Sequence, residues 1–430
     1  MRLLLALLLL AFIFADVSSL DMSLSAGLSV KNLMLNLIAL ALLIRYAAQR
    51  NFNFEIPSIL VCFGTMFLYA LLSVAVAAWV IEYPHYNALV SILTLKAVIV
   101  DPALLLLVFF YGARSVSDVR FLMSVLLGAF SIANLLTITN VYGLTTVGDL
   151  HFGDNNQYEA NRVYGFFGHA NETGALIAIL LPAYVALVTA ARGAEKWLWA
   201  AGMVCSAVVL IMTGSRGALA GLVLGGTIGV FVCQRYLPPM RLLRGLGSYV
   251  AAGLPFVIVL GAKYGGEFIQ RVVSQGSAVD TAEISSGRTE LWAEAIGRMM
   301  ETPLSLITGF GWNVYDSMGF RLVPHNHYIF LWFELGLIGL SCYLLIVRGL
   351  ASYAMQALRS ADSTERNTLV AFMYALCILS IAIVFEQLYQ PWLYIWPYAG
   401  LCLRMAFIVK RNSAEDSAQA AGVRQLPRRE

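Results

Sequence analysis

The sequence predicts an all-α polytopic membrane protein of about twelve transmembrane helices, with one large loop that carries an amphipathic helix. Three observations support this. Hydrophobic residues make up 60% of the 430 and charged residues only 12%, with a mean hydropathy of +0.76. A water-soluble domain carries about 25% charged residues, so lipid replaces water around most of these side chains. Apolar runs long enough to cross a bilayer recur along the chain. Most charges fall between those runs, in short turns, two long loops and the C-terminal tail.

The spans are expected near residues 3–15, 26–44, 56–80, 88–111, 119–138, 170–191, 197–213, 217–234, 246–262, 326–347, 367–385 and 393–409. The first, Met1 to Ala15 with Arg2 ahead of an apolar run, has the make-up of a secretory leader. Kept as a short first span, it preserves the alternation of charge in later connections, and that reading is taken. The fourth holds Lys96 and Asp101, whose five-residue spacing is poor for pairing on an α-helix, so each is expected to find partners on other helices. The seventh and eighth are short and joined by the tight turn Thr213-Gly214-Ser215-Arg216-Gly217. The tenth opens after Pro324, with Asn326 as its cap. Residues 1–411 are read as one bundle. The tail from 412 to 430 is polar and small and is expected to be disordered.

Cytoplasmic connections carry an excess of Lys and Arg. Arg2, Arg45, Arg50, Arg114, Arg120, Arg192, Lys196, Arg235, Arg241, Arg244, Arg348, Arg359, Arg366 and the basic tail all fall on one side of this layout. Both termini are therefore expected in the cytoplasm. Arg162, Arg216, Lys263, Arg271, Arg288, Arg298 and Arg321 fall on the opposite side, where the charge rule does not select for them. That side also has the two long loops, at about 139–169 and 263–325. Loops beyond about 12–15 residues are often functional. In the larger loop, Leu291, Trp292, Ala295, Ile296, Met299 and Met300 recur at helical spacing after Ser285 and Ser286, which suit a cap. They predict an amphipathic helix on the membrane surface or the bundle.

The net charge of +3 gives no reason to expect a nucleic-acid partner. The six cysteines, Cys62, Cys205, Cys233, Cys342, Cys377 and Cys402, lie in apolar runs without metal or disulfide spacing and read as small hydrophobic residues.

Candidate chemistry gathers on the outer side. In Pro324-His325-Asn326-His327, an imidazole at the lip of a span can exchange protons near neutral pH. His325 is the preferred general base and His327 the fallback. Two residues apart and without a carboxylate triad, the histidines make a poor metal site, and none is expected. Arg216 sits between glycines at a helix start, where unpaired N–H groups and a guanidinium together suit a phosphate. Arg288 begins the amphipathic helix and opposes its dipole, a cost that an anionic ligand would offset. Arg162 leads a loop segment that enters the sixth span through His169, a secondary candidate, and Asn171, a capping residue.

The pattern His325-Asn326, nine residues, Gly336-Leu337-Ile338-Gly339 resembles that of bacterial O-antigen ligases. Three further stretches resemble the wider ligase and polymerase superfamily: Arg162 to Asn171; Gly214-Ser215-Arg216-Gly217; and Ser286-Gly287-Arg288 with Trp292 and Gly309-Phe310-Gly311. The resemblance implies a helical fold similar to lipid-dependent (GT-C type) glycosyltransferases. It implies transfer of a glycan from undecaprenyl diphosphate to a lipid A core oligosaccharide, at the periplasmic face of the bacterial inner membrane. Inversion at the anomeric carbon and independence of metal and nucleotide cofactors are implied with it. On this reading Arg216, Arg288 and Arg162 hold the diphosphate and His325 is the base. An O-antigen polymerase or a protein O-oligosaccharyltransferase would use the same donor and clamp with another acceptor. A transporter of anionic lipids would instead line the midplane with ionisable residues and show repeat symmetry; only Lys96 and Asp101 lie there, and no repeat is seen.

Overall fold

The computed structural model describes residues 1–15, 23–25, 28–48, 55–145, 162–165, 169–236, 254–255, 258, 287–320, 322–387 and 392–420. The helices are α1 (Arg2–Ala15), α2 (Val30–Ala48), α3 (Pro57–Ile81), α4 (Ala88–Gly112), α5 (Val116–Val141), α6 (Ala170–Ala190), α7 (Ala194–Thr213), α8 (Arg216–Cys233), α9 (Arg288–Glu301), α10 (His327–Ala357), α11 (Ser363–Phe385) and α12 (Trp392–Ala420). Among the described residues nine helices are long and apolar enough to cross a membrane: α2 to α8, α10 and α11. The chain is an all-α polytopic membrane protein, apart from a short antiparallel pairing of Ser23–Ser25 with Leu28–Ser29. Helices dominate because lipid offers no hydrogen bonds, so each backbone group must be satisfied within its own segment. Of the expected spans, 246–262 lies almost wholly outside the described residues, and each of the others has a helix at its place.

Several elements differ from expectation for physical reasons. Lys96 and Asp101 pair with each other, Lys96 Nζ lying 2.9 and 2.7 Å from the two carboxylate oxygens. Residues Lys96–Val100 form a π-helical turn, which closes on the Asp101 N–H to Lys96 O bond. An i to i+5 turn brings onto one face residues that an α-helix would splay apart. α10 runs to Ala357, well past residue 347, because hydropathy marks where a span leaves the lipid and not where its helix stops. α12 likewise continues to Ala420, so residues 412–420 are helical and not disordered as expected; Arg411 and Glu415 lie 3.8 Å apart one turn along it.

Two packing arrangements position the site. α6 packs on α7 and α11, and α8 packs on α11. The seam between α8 and α11 is made of glycine. A Cβ on Gly217, Gly221, Gly225 or Gly229 would stand 2.6 Å from Phe385 Cβ, 3.0 Å from Ala382 Cβ, 2.5 Å from Ile378 Cα and 2.7 Å from Tyr374 Cδ1. Small residues at four-residue spacing let two helix backbones approach closely, and here they bring the Arg216 turn against the end of α11.

The second arrangement is a break in α10 at Gly336, where φ is 60° and ψ is −162°. The carbonyls of Phe333 and Glu334 accept from the N–H groups of Phe310 and Gly311, both at 2.9 Å. A Cβ on Gly336 would stand 2.1 Å from Ile307 O, so glycine alone fits. From α3 and the turn after it, Tyr69, Tyr83 and Tyr86 donate to the carbonyls of Thr308, Phe310 and Trp312 at 2.6, 3.2 and 2.6 Å. The loop after α9 is thereby held by its main chain to the end of the bundle.

Candidate active site

His325 sits between buried Pro324 and the cap residue of α10. Asn326 Oδ1 accepts from the N–H groups of Tyr328 and Ile329 at 3.0 and 3.1 Å, as a cap should. His325 has a φ of 46°, a left-handed conformation uncommon outside glycine. Such strain persists only where the surroundings enforce it. Here Trp292 Nε1 of α9 donates to Pro324 O at 2.6 Å, locking the turn from one side. From the other, Glu386 lies 3.1 Å from His325, Oε1 to Nδ1.

Glu386 follows the last residue of α11 and is buried. Its Oε2 lies 3.5 Å from a terminal nitrogen of Arg288. Burial alone would raise the carboxyl, but the hydrogen bond from His325 and the charges of His325, Arg288 and His169 outweigh it and hold Glu386 below its ordinary range. Burial lowers the proton affinity of Arg288, and Glu386 opposes that. An arginine so placed stays a cation.

Arg288 begins α9 behind Gly287, which takes the cap position with a φ of 77° in place of the expected serines. Its charge opposes the helix dipole, and Glu386 offsets part of that cost. Arg216 is the first residue of α8, where Ser215 Oγ accepts from the Ala218 N–H at 3.3 Å. Two helices thus each begin with an arginine, one packed at Phe385 through Gly217 and the other paired with Glu386.

Arg162 is tied to the same turn. Its Nε donates to Thr213 O at 2.9 Å, and a terminal nitrogen donates to Asn171 Oδ1. Asn171 was expected to cap α6; the structure puts His169 at the cap position and Asn171 inside the first turn, holding Arg162.

The structure therefore gathers His325, Arg288, Arg216, Arg162 and His169 at one end of the bundle around the C-terminus of α11. It places His327 elsewhere: this side chain is 3% exposed and turns into the bundle against Phe330 and Tyr343. The two-residue spacing on a helix start sends the two rings in different directions. Among the described residues no three His, Cys, Asp or Glu side chains converge as metal ligands would. Glu386 is the residue that sequence reasoning missed. Its one visible signal was a carboxylate at the outer lip of an apolar span, next to no short basic connection.

Fold and site together define a multi-pass helical membrane protein that carries a histidine, a carboxylate and several arginines at one end of its bundle. Over residues 201–344, about a third of the 430-residue chain, the sequence matches the O-antigen ligase family. The matched stretch contains Arg216, Arg288, His325 and the Gly336 break. It supports membership of that family, and with it activity of the O-antigen ligase or polymerase type on lipid-linked substrates. No curated protein matches the chain.

Proposed function

We propose that the protein is an O-antigen ligase. It moves a glycan from undecaprenyl diphosphate to the core oligosaccharide of lipid A at the periplasmic face of the bacterial inner membrane. The observation that carries this reading is His325, 29% exposed and held by Glu386, which also pairs with the partly buried Arg288. A displacement at a glycosyl diphosphate calls for a base at the acceptor hydroxyl and positive charge at the leaving diphosphate, and Glu386 holds a candidate for each.

In the step, an acceptor hydroxyl oxygen attacks C1 of the donor sugar from the face opposite the diphosphate. The new C1–O bond forms as the old one breaks, and its electron pair leaves on the diphosphate. The hydroxyl proton passes to His325. Arg216 and Arg288 stabilise the growing negative charge, an effect strongest in a site that excludes water. Arg162 holds the turn that carries Arg216. Attack from the opposite face inverts the anomeric carbon.

Incubating the purified protein with an undecaprenyl diphosphate glycan and a lipid A core acceptor, with EDTA present, tests the reading. Transfer to the core is expected. Growth of the glycan on its own carrier would make the protein an O-antigen polymerase, the second reading, which the family match equally accommodates.

A further inference from the structure

We propose that Glu386 is a positioning residue with a separate task for each carboxylate oxygen: Oε1 fixes the orientation and proton placement of His325, and Oε2 occupies Arg288 until the donor diphosphate displaces it. The proposal rests on the functional reading above and adds a residue outside the matched stretch.

The first task follows from the geometry of hydrogen bonding. Oε1 stands 3.1 Å from His325 Nδ1. An ionised carboxylate only accepts, so in a neutral imidazole the proton sits on Nδ1. The lone pair is then on Nε2, the nitrogen away from Glu386 and free for the acceptor hydroxyl. A histidine in the other tautomer would present a proton to that hydroxyl and could not take one. The same carboxylate stabilises the imidazolium that forms once the proton has moved.

The second task follows from what the Oε2 contact lacks. Oε2 is buried and makes no hydrogen bond, although it lies 3.5 Å from an Arg288 nitrogen. A buried ion pair kept for stability closes its hydrogen bonds, because desolvation is otherwise uncompensated. This one is close enough to neutralise charge and too open to hold the guanidinium in a bidentate grip. Phosphate oxygens offer Arg288 the planar, paired acceptors that Oε2 alone does not. The charged groups acting on Glu386 are His325 from the loop before α10, Arg288 from α9 and His169 from the start of α6. When the diphosphate takes Arg288, Glu386 keeps His325 as its partner. Donor binding and the readiness of the base are thereby linked through one carboxylate.

The test separates turnover from binding. In detergent, Glu386→Gln keeps the size of the side chain and removes the charge. Its kcat for ligation should fall about ten-fold or more, within the range that general-base catalysis contributes. Its Kd for undecaprenyl diphosphate should equal or fall below that of the native protein, because Arg288 no longer has a competing anion. In a His325→Gln background, adding Glu386→Gln should change the residual turnover less than about two-fold, since the residue acts through His325. Unchanged kcat in the single variant, a Kd that rises in step with the loss of kcat, or a further ten-fold loss in the double variant would each overturn the proposal. If the glutamine variant does not purify folded, Glu386→Asp keeps the charge on a shorter arm. It should lower kcat and leave Kd near the native value; a raised Kd would count against the proposal. Ligation by the native protein tests the functional reading, while binding of undecaprenyl diphosphate tests the Glu386–Arg288 contact whichever acceptor is used.

Discussion

Glu386 and His325 are 61 residues apart in the chain and 3.1 Å apart in space, where the C-terminus of α11 meets the N-terminus of α10. The same carboxylate reaches Arg288 on a third element. Three segments of the protein thus meet at one acidic side chain.

His325→Ala should cut ligation by about 10²–10⁴-fold, the range general-base catalysis supplies. Binding of undecaprenyl diphosphate should stay within about two-fold, because the ring does not hold the phosphates. Turnover and Kd measured on the same preparation check this; a near-native rate would remove His325 from the mechanism.

Arg216→Lys and Arg288→Lys should each weaken donor binding and lower turnover by about ten-fold or more, although both keep the charge. Lysine is a point cation and cannot make the paired, planar contacts of guanidinium with phosphate. Equilibrium binding of undecaprenyl diphosphate reads the first effect and the ligation assay the second.

Acidification should remove a stabilising contribution from Glu386. Its carboxyl in the folded protein lies below the ordinary value of 4.5, so the unfolded chain binds the proton more readily. The contribution is complete above about pH 5 and is lost as pH falls through the lowered folded value. Melting temperatures of the native protein should therefore drop on acidification more steeply than those of Glu386→Gln. Parallel curves for the two proteins would contradict the ion-pair geometry.

Gly225→Ala should destabilise the protein by about 1–3 kcal/mol, the usual cost of overpacking. Its new methyl would meet backbone atoms of α11, with Ile378 Cα at 2.5 Å and Cys377 O at 2.7 Å, neither of which can swing aside. Gly297→Ala is the control: it lies within α9 with nothing within 4 Å of the new atom. It should be neutral or stabilising by up to about 1 kcal/mol from helix propensity. Thermal melting in detergent compares the two.

Gly336→Ala should cost more than Gly225→Ala, because it adds a left-handed φ of 60° to a clash with Ile307 O at 2.1 Å. The loop after α9 should loosen with it. Faster proteolysis within 305–320 would report that change directly.

Much of this molecule was legible in its residues. Membrane-length apolar runs mark helices because lipid permits little else, and His325, Arg216, Arg288 and Arg162 stood out as titratable or cationic groups where insertion does not call for them. Glu386 did not stand out. A single acid between Phe385 and Gln387 looks like ordinary chemistry at a membrane edge, and only the packing of α11 against α6, α8 and α10 brings it to His325. The Lys96–Asp101 pair was hidden for a local reason, since a π-helical turn leaves no mark in a pattern read at 3.6 residues per turn. His327 shows the reverse: proximity in sequence made it a fallback for His325, and helix geometry sent it into the core.

The glycine seam gives the site two unlike jaws. Arg216 stands on α8, whose backbone rests on α11 at Gly221 and Gly225, with nothing larger than the Ala382 methyl between them. Arg288 stands on α9, which buries Ala295 and Met299 and meets the His325 turn through the Trp292 bond to Pro324 and the Arg288–Glu386 pair. The Arg216 jaw is an anvil set by main-chain contact. The Arg288 jaw rests on fewer buried residues and is the lighter one.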